Sequence, residues 1–108
     1  MTDEQIEKIR SAVESADHIP AEKKAEFLRL LSKLKPAIAK ASQMHQGHAE
    51  KIGRLVEASA HEAAKKQPAS TGNLLRELER SVEKIEASHP ELVAAITEYT
   101  AFLSALGI

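Results

Sequence analysis

The sequence predicts an all-α protein: a long antiparallel helical hairpin with kinked arms, a short N-terminal helix packed at one end, and a bundle completed by dimerisation. Three observations carry that expectation. Apolar residues recur at 3,4 spacing along most of the chain, which is the period of one helix face. From Phe27 this seam reads Phe27, Leu31, Leu34, Ile38, Ala41, His45, His48, Ile52 and Leu55, apolar except for two histidines. A second seam reads Leu75, Leu78, Val82, Ile85, His89, Leu92, Ile96, Tyr99, Leu103 and Leu106. Between them only Gln67 to Asn73 has clear loop composition, and two seams joined by a short loop fold back on one another.

Composition sets the outer limits. The 108 residues suit a single helical domain over 1–108. Apolar residues at 43% and charged residues at 29% are ordinary for a globular chain, while aromatics at 3% leave Ala, Leu and Ile to fill the core. A net charge of −1 gives no global attraction to nucleic acid or an anionic membrane. With no cysteine, disulfides, thiolate chemistry and cysteine-ligated metal sites are excluded. Met1 to Arg10 is charged throughout, unlike a signal peptide, and the longest uncharged run, Tyr99 to Ile108, is too short to span a bilayer. The expected compartment is the cytoplasm.

Thr2 and Gln5 fit a capping box at the start of helix 1, which is expected over about Asp3 to Ala16 on the stripe Ile6, Ile9, Val13 and Ala16. A helix this short is marginal alone, so its stripe must dock. Pro20 suits the first position of a new helix. The long helix is expected over Ala21 to Gln67, as one helix or two nearly collinear ones. Its opening stripe, Phe27, Leu28, Leu30, Leu31 and Leu34, is wider than a two-stranded seam needs. Two partners are therefore expected there, helix 1 being one. Pro36 removes a backbone hydrogen bond, but the seam keeps phase through it, so a kink is expected and not a reversal. Ser42 to Gly53, with Gly47 and Gly53, is the softest part, and a break near Gln46–Gly47 is the alternative to a single helix. Pro90 either starts a fresh helix, with Ser88 or His89 as cap, or kinks a continuous one. Gly107 suits a helix terminator.

With the turn near Ala69–Ser70, helix 1 falls beside the start of helix 2 and near Phe102, Leu103 and Leu106. The loop end, with Ile52, Leu55, Val56, Leu75 and Leu78, then has only two helices. Those five residues are the expected interface, covered by a second copy in a homodimer.

The stretch Ser81-Val82-Glu83-Lys84-Ile85-Glu86-Ala87-Ser88-His89-Pro90-Glu91-Leu92, followed by an end in Leu106-Gly107-Ile108, carries a Glu-x-x-His-Pro step and a Gly-Ile terminus. In these features the chain resembles a bacterial family of small helical proteins, the domain-of-unknown-function family numbered 4404. The N-terminal helix, the loop with Pro20 and the following acidic–basic helix also resemble that family's first half. The resemblance covers Asp3 to Ala41 and Leu74 to Ile108, and between Met44 and Gln67 this chain is longer than the family's pattern. It implies a small helical protein with no catalytic residues to carry over.

The sharpest chemical constellation is histidine. His45 and His48 share a helix face at i,i+3, both on the seam. The hairpin register sets His48 opposite about Glu91 and His45 opposite about Ala94, with His89 within a turn of both. His45, His48 and His89, with Glu50 and Glu91 nearby, could hold zinc or another divalent ion between helices. The ordinary reading is half-buried polar spacers bonded to backbone or water, and a third is a pH-sensitive interface. His18 and His61 are expected alone and solvent-facing.

Arg29, Lys33 and Lys40 make one face of the long helix basic, without interleaved aromatics for base stacking, so nucleic acid is not an expected partner. Catalysis has no assignable nucleophile, phosphate loop or carboxylate pair, and Glu86-Ala87-Ser88-His89 has no second copy to make a di-iron bundle. The expectation is a non-enzymatic, homo-oligomeric interaction or scaffold module without a cofactor. Its partner would be itself or an unidentified protein, and no membrane. The alternative is a metal-binding helical protein using the histidine cluster.

Overall fold

The computed structural model describes residues 2–65, 68–85 and 88–106, and the backbone alone for 68–70. Gln67, Glu86 and the Gly107–Ile108 end, each named above, lie outside the described residues. The described residues form five helices: α1 (Asp3–Glu14), α2 (Ala21–Ser42), α3 (Gln46–Ala64), α4 (Pro68–Glu83) and α5 (Pro90–Ala105).

Local chemistry sets most of the boundaries. The Thr2 hydroxyl accepts from the Gln5 amide at 3.2 Å and the Gln5 side chain accepts from the Thr2 amide at 2.8 Å, which is the capping box in full. At the other end of α1, Lys24 Nζ donates to the Glu14 carbonyl at 2.8 Å, satisfying one of the carbonyls a helix end leaves open. Pro20 sits in extended conformation as the N-cap of α2. α2 runs unbroken through Pro36, whose side is exposed. Pro90 is the first residue of α5, where a missing N–H costs nothing. The expected loop is corrected in the same way: Pro68 opens α4, so 68–73 are helical.

The long hairpin completed by dimerisation does not form. Both arms break and fold back on themselves, so that α2 packs on α3 and α4 on α5, while the pairs α3–α4 and α2–α5 are kept. A continuous helix over Ala21 to Gln67 would be about 70 Å long at ~1.5 Å per residue. The longest extent of the molecule is 38 Å, and the Cα radius of gyration is 12.8 Å, against about 13 Å for a compact domain of this length.

Folding back also changes what covers the α3–α4 end. α1 packs chiefly on α3 and less on α2, instead of lying against the C-terminal end. The residues expected to form a subunit interface are therefore buried within one chain: Ile52, Val56 and Leu78 are wholly buried, Leu75 nearly so, and Leu55 is half-buried. The bundle needs no second subunit to close its core. The wide stripe of α2 does serve several partners, with Phe27, Leu30, Leu31 and Leu34 buried and Leu28 half-buried. Phe27 meets Tyr99 and Phe102 of α5 edge-on, at ring-centroid distances of 6.2 and 5.7 Å. Among the described residues no helix is long and apolar enough to cross a membrane.

Candidate functional site: the histidine junction

The two breaks meet. α2 ends in a tightened turn, with the amides of Met44 and His45 both donating to the Ala41 carbonyl at 3.2 and 2.8 Å. His45 then occupies the N-cap of α3 with φ −132° and ψ 60°. After α4 the His89 amide donates to the Ile85 carbonyl at 3.2 Å, and His89 occupies the N-cap of α5 with φ −137° and ψ 69°. The same residue type thus takes nearly the same conformation at both breaks. Neither side chain caps its own helix. The rings turn to each other instead: His45 Nδ1 and His89 Nε2 are 3.0 Å apart, with the ring planes perpendicular and centroids 5.1 Å apart. One nitrogen donates and the other accepts, and either tautomeric arrangement satisfies the contact.

His89 is buried and His45 half-buried. The half-buried His48 ring stands 6.4 Å from that of His45, centroid to centroid. The three sequence-selected histidines are therefore brought to one place, but only His45 and His89 touch. Among the described residues no group of three or more His, Cys, Asp or Glu is already arranged to hold a metal ion. The carboxylates expected nearby are otherwise engaged. Glu50 accepts from the Gln46 side chain at 3.3 Å, and Glu91 lies 3.7 Å from the Lys40 ammonium.

The other candidate groups find structural work. His18 is half-buried, not solvent-facing, and its Nε2 donates to the Ala63 carbonyl at 2.8 Å, which ties the α1–α2 connection to the end of α3. His61 is half-buried. The basic face of α2 meets acids of the same chain: Lys33 and Arg29 reach Glu98 at 3.1 and 3.5 Å, Lys40 faces Glu91, and Lys35 pairs with Asp3. The hydrogen bond from Lys33 holds the Glu98 carboxyl below the usual carboxylate range, with Arg29 adding to the effect. Those cations are matched by carboxylates that a count along α2 alone does not show.

One polar group in the core went unmarked in the sequence. The Tyr99 hydroxyl lies 2.7 Å from Ser59 Oγ and 3.1 Å from the Val56 carbonyl, which Ser59 also reaches at 2.9 Å. Tyr99 and Ser59 are both fully buried. Burial pushes the Tyr99 phenol well above its ordinary range, and the bond from Ser59 offsets only part of this. The available signal was a serine in the Ala-rich seam of α3 and the chain's one tyrosine at a seam position of α5.

No family model, no curated protein and no solved structure matches this chain.

Proposed function

We propose that the chain is a small metal-binding helical module whose site is the histidine junction. One observation carries the reading: two imidazole nitrogens from separate helix entries stand 3.0 Å apart, with a third histidine on the next turn of α3. A tetrahedral ion with metal–nitrogen bonds of about 2.05 Å separates its ligand nitrogens by about 3.3 Å. The His45–His89 pair is within a few tenths of an ångström of that edge. The ion would take the place of the hydrogen-bond proton, which moves to the other nitrogen of the donor ring so that both imidazoles stay neutral, and would draw His48 in as a third ligand. Rigid helix entries that hold two ligands in advance reduce the ordering cost of binding.

Thermal melting of the full chain with Zn2+, Ni2+, Cu2+ and, anaerobically, Cu+ tests this. At free ion one hundred times the Kd, linkage adds about 2.7 kcal/mol, on the order of 10 °C in Tm for a domain of this size. At least one ion should give that rise, and His45→Ala and His48→Ala should abolish or weaken it. Melting unchanged by every ion would sink the proposal. The reading as a homo-oligomeric interaction module rested on Ile52, Leu55, Val56, Leu75 and Leu78 being left bare, and the single chain covers them.

A further inference from the structure

The turn that carries His45 also carries Met44. Its side chain is 73% exposed, the one large hydrophobic residue left so open among the described residues. Every other large hydrophobic side chain among the described residues is buried or half-buried, so solvent is an odd place for a methionine to be held. It lines an open cavity of about 530 Å³ together with His45, His48, Lys51, Ser81 and Lys84. Among the described residues no carboxylate lines that cavity.

We infer that the junction is a site for a soft monovalent ion, copper(I), with the Met44 thioether as a ligand beside the imidazoles of His45 and His48. The inference rests on the metal-binding reading above and names its ion. Two independent considerations select that ion. The first is donor type: thioether sulfur is a soft donor that selects Cu(I), imidazole suits copper, and the oxygens in the described lining, the Gln46 amide and the Ser81 hydroxyl, are neutral and too few for the all-oxygen shell that magnesium, calcium or manganese take. The second is charge. The donors are all neutral, so nothing in the cavity offsets the charge of the ion. Lys51 and Lys84 stand at the rim, the former 3.3 Å from Glu77 and so partly neutralised. The positive ends of α3 and α5 also point at the junction, since both helices begin there. Coulomb repulsion from these sources scales with the charge of the ion, so a monovalent ion meets half the opposition a divalent one does. Met44 and His45 are consecutive, and His48 follows one turn later, so one short segment at a helix entry supplies three donors and His89 adds its imidazole from the start of α5.

The test uses the full chain without oxygen. Cu(I) is offered from a bathocuproine disulfonate buffer, Ag(I) serves as a redox-inert substitute, and Zn2+ is titrated in parallel. One Cu(I) per chain is expected, bound at least tenfold more tightly than Zn2+. Met44→Leu, a change at an exposed site, should leave the melting curve of the ion-free protein in place. It should lower Cu(I) and Ag(I) affinity at least tenfold and leave Zn2+ affinity unchanged. In the natural chain Ag(I) should shift the Met44 methyl resonance, with Met1 as the internal reference. If Met44→Leu binds Cu(I) as tightly as the natural chain, or if the Met44 methyl does not move, the inference fails. In that case loss of binding in His45→Ala would still uphold the histidine site. If the natural chain binds none of the ions, both readings fail.

Discussion

Tyr99 heads the wholly buried side chains by volume, and it brings a hydroxyl into an apolar core. Two hydroxyl protons, its own and that of Ser59, serve three short contacts with each other and with the Val56 carbonyl. Tyr99→Phe keeps the ring and its edge contact with Phe27 and leaves Ser59 bonded to Val56. The expected loss is about 1 kcal/mol, or roughly 4–8 °C in Tm. The phenol also gives the fold an alkaline limit. Its proton is held more firmly in the folded than in the unfolded chain, where tyrosine ionises near pH 10. Its contribution is thus complete below that pH and is lost as pH rises above it. Melting curves between pH 9 and 11 should fall less steeply for Tyr99→Phe than for the natural chain. At this scale the sequence was partly legible. The convergence of His45, His48 and His89 followed from seam positions, and His89, expected within a turn, is the residue whose ring His45 meets. The register rule that opposed His45 to Ala94 assumes straight arms, and the arms are folded at those very residues. His18 was misread because a lone loop histidine gives no hint that a helix end will be brought to it.

At the scale of elements, helix identity was legible and helix continuity was not. The seams keep phase from Ala41 through His45 to Ile52, and from Ile85 through His89 to Leu92, which reads as uninterrupted helix. Phase reports which face is buried. Two helices that fold back around one core bury the same face, so the pattern survives a reversal. The weak segment was visible in Ser42 to Gly53, and the break falls at 43–45, just before Gly47. Proline was equally ambiguous: Pro36 lies inside α2 on its exposed side, while Pro68 and Pro90 open helices. The place of α1 follows from the reversal, since α3 returns to where α1 can reach it. Ile9 and Val13, wholly buried, mark the face of α1 that meets the core. Ile9→Ala should cost about 2–5 kcal/mol, the range for removing a well-packed isoleucine side chain. Urea unfolding should show it as a lower midpoint with an unchanged slope.

For the whole molecule, the accessible surface decides how complete the fold is. It is 5933 Å², and a folded monomer of 11.8 kDa is expected to expose about 5,900 Å². A long hairpin with an unfinished end would expose more. Sedimentation equilibrium is therefore expected to return the mass of one chain. Ile52→Ala should lower the unfolding free energy by about 2–5 kcal/mol without changing that mass, whereas an interface residue would shift an association equilibrium. All-α composition could be read from periodicity. The closure of the bundle could not, because it depends on two turns whose residues carry no strong turn chemistry. The order of pairing has a kinetic consequence as well. α3 and α4 are neighbours along the chain, and α2 and α5 pair around them. Once the inner pair has formed, the segment that α2 and α5 must close is already shortened, and loop-closure entropy is charged against a smaller loop. Joining α2 to α5 after the inner pair is therefore the order that loop-closure entropy favours.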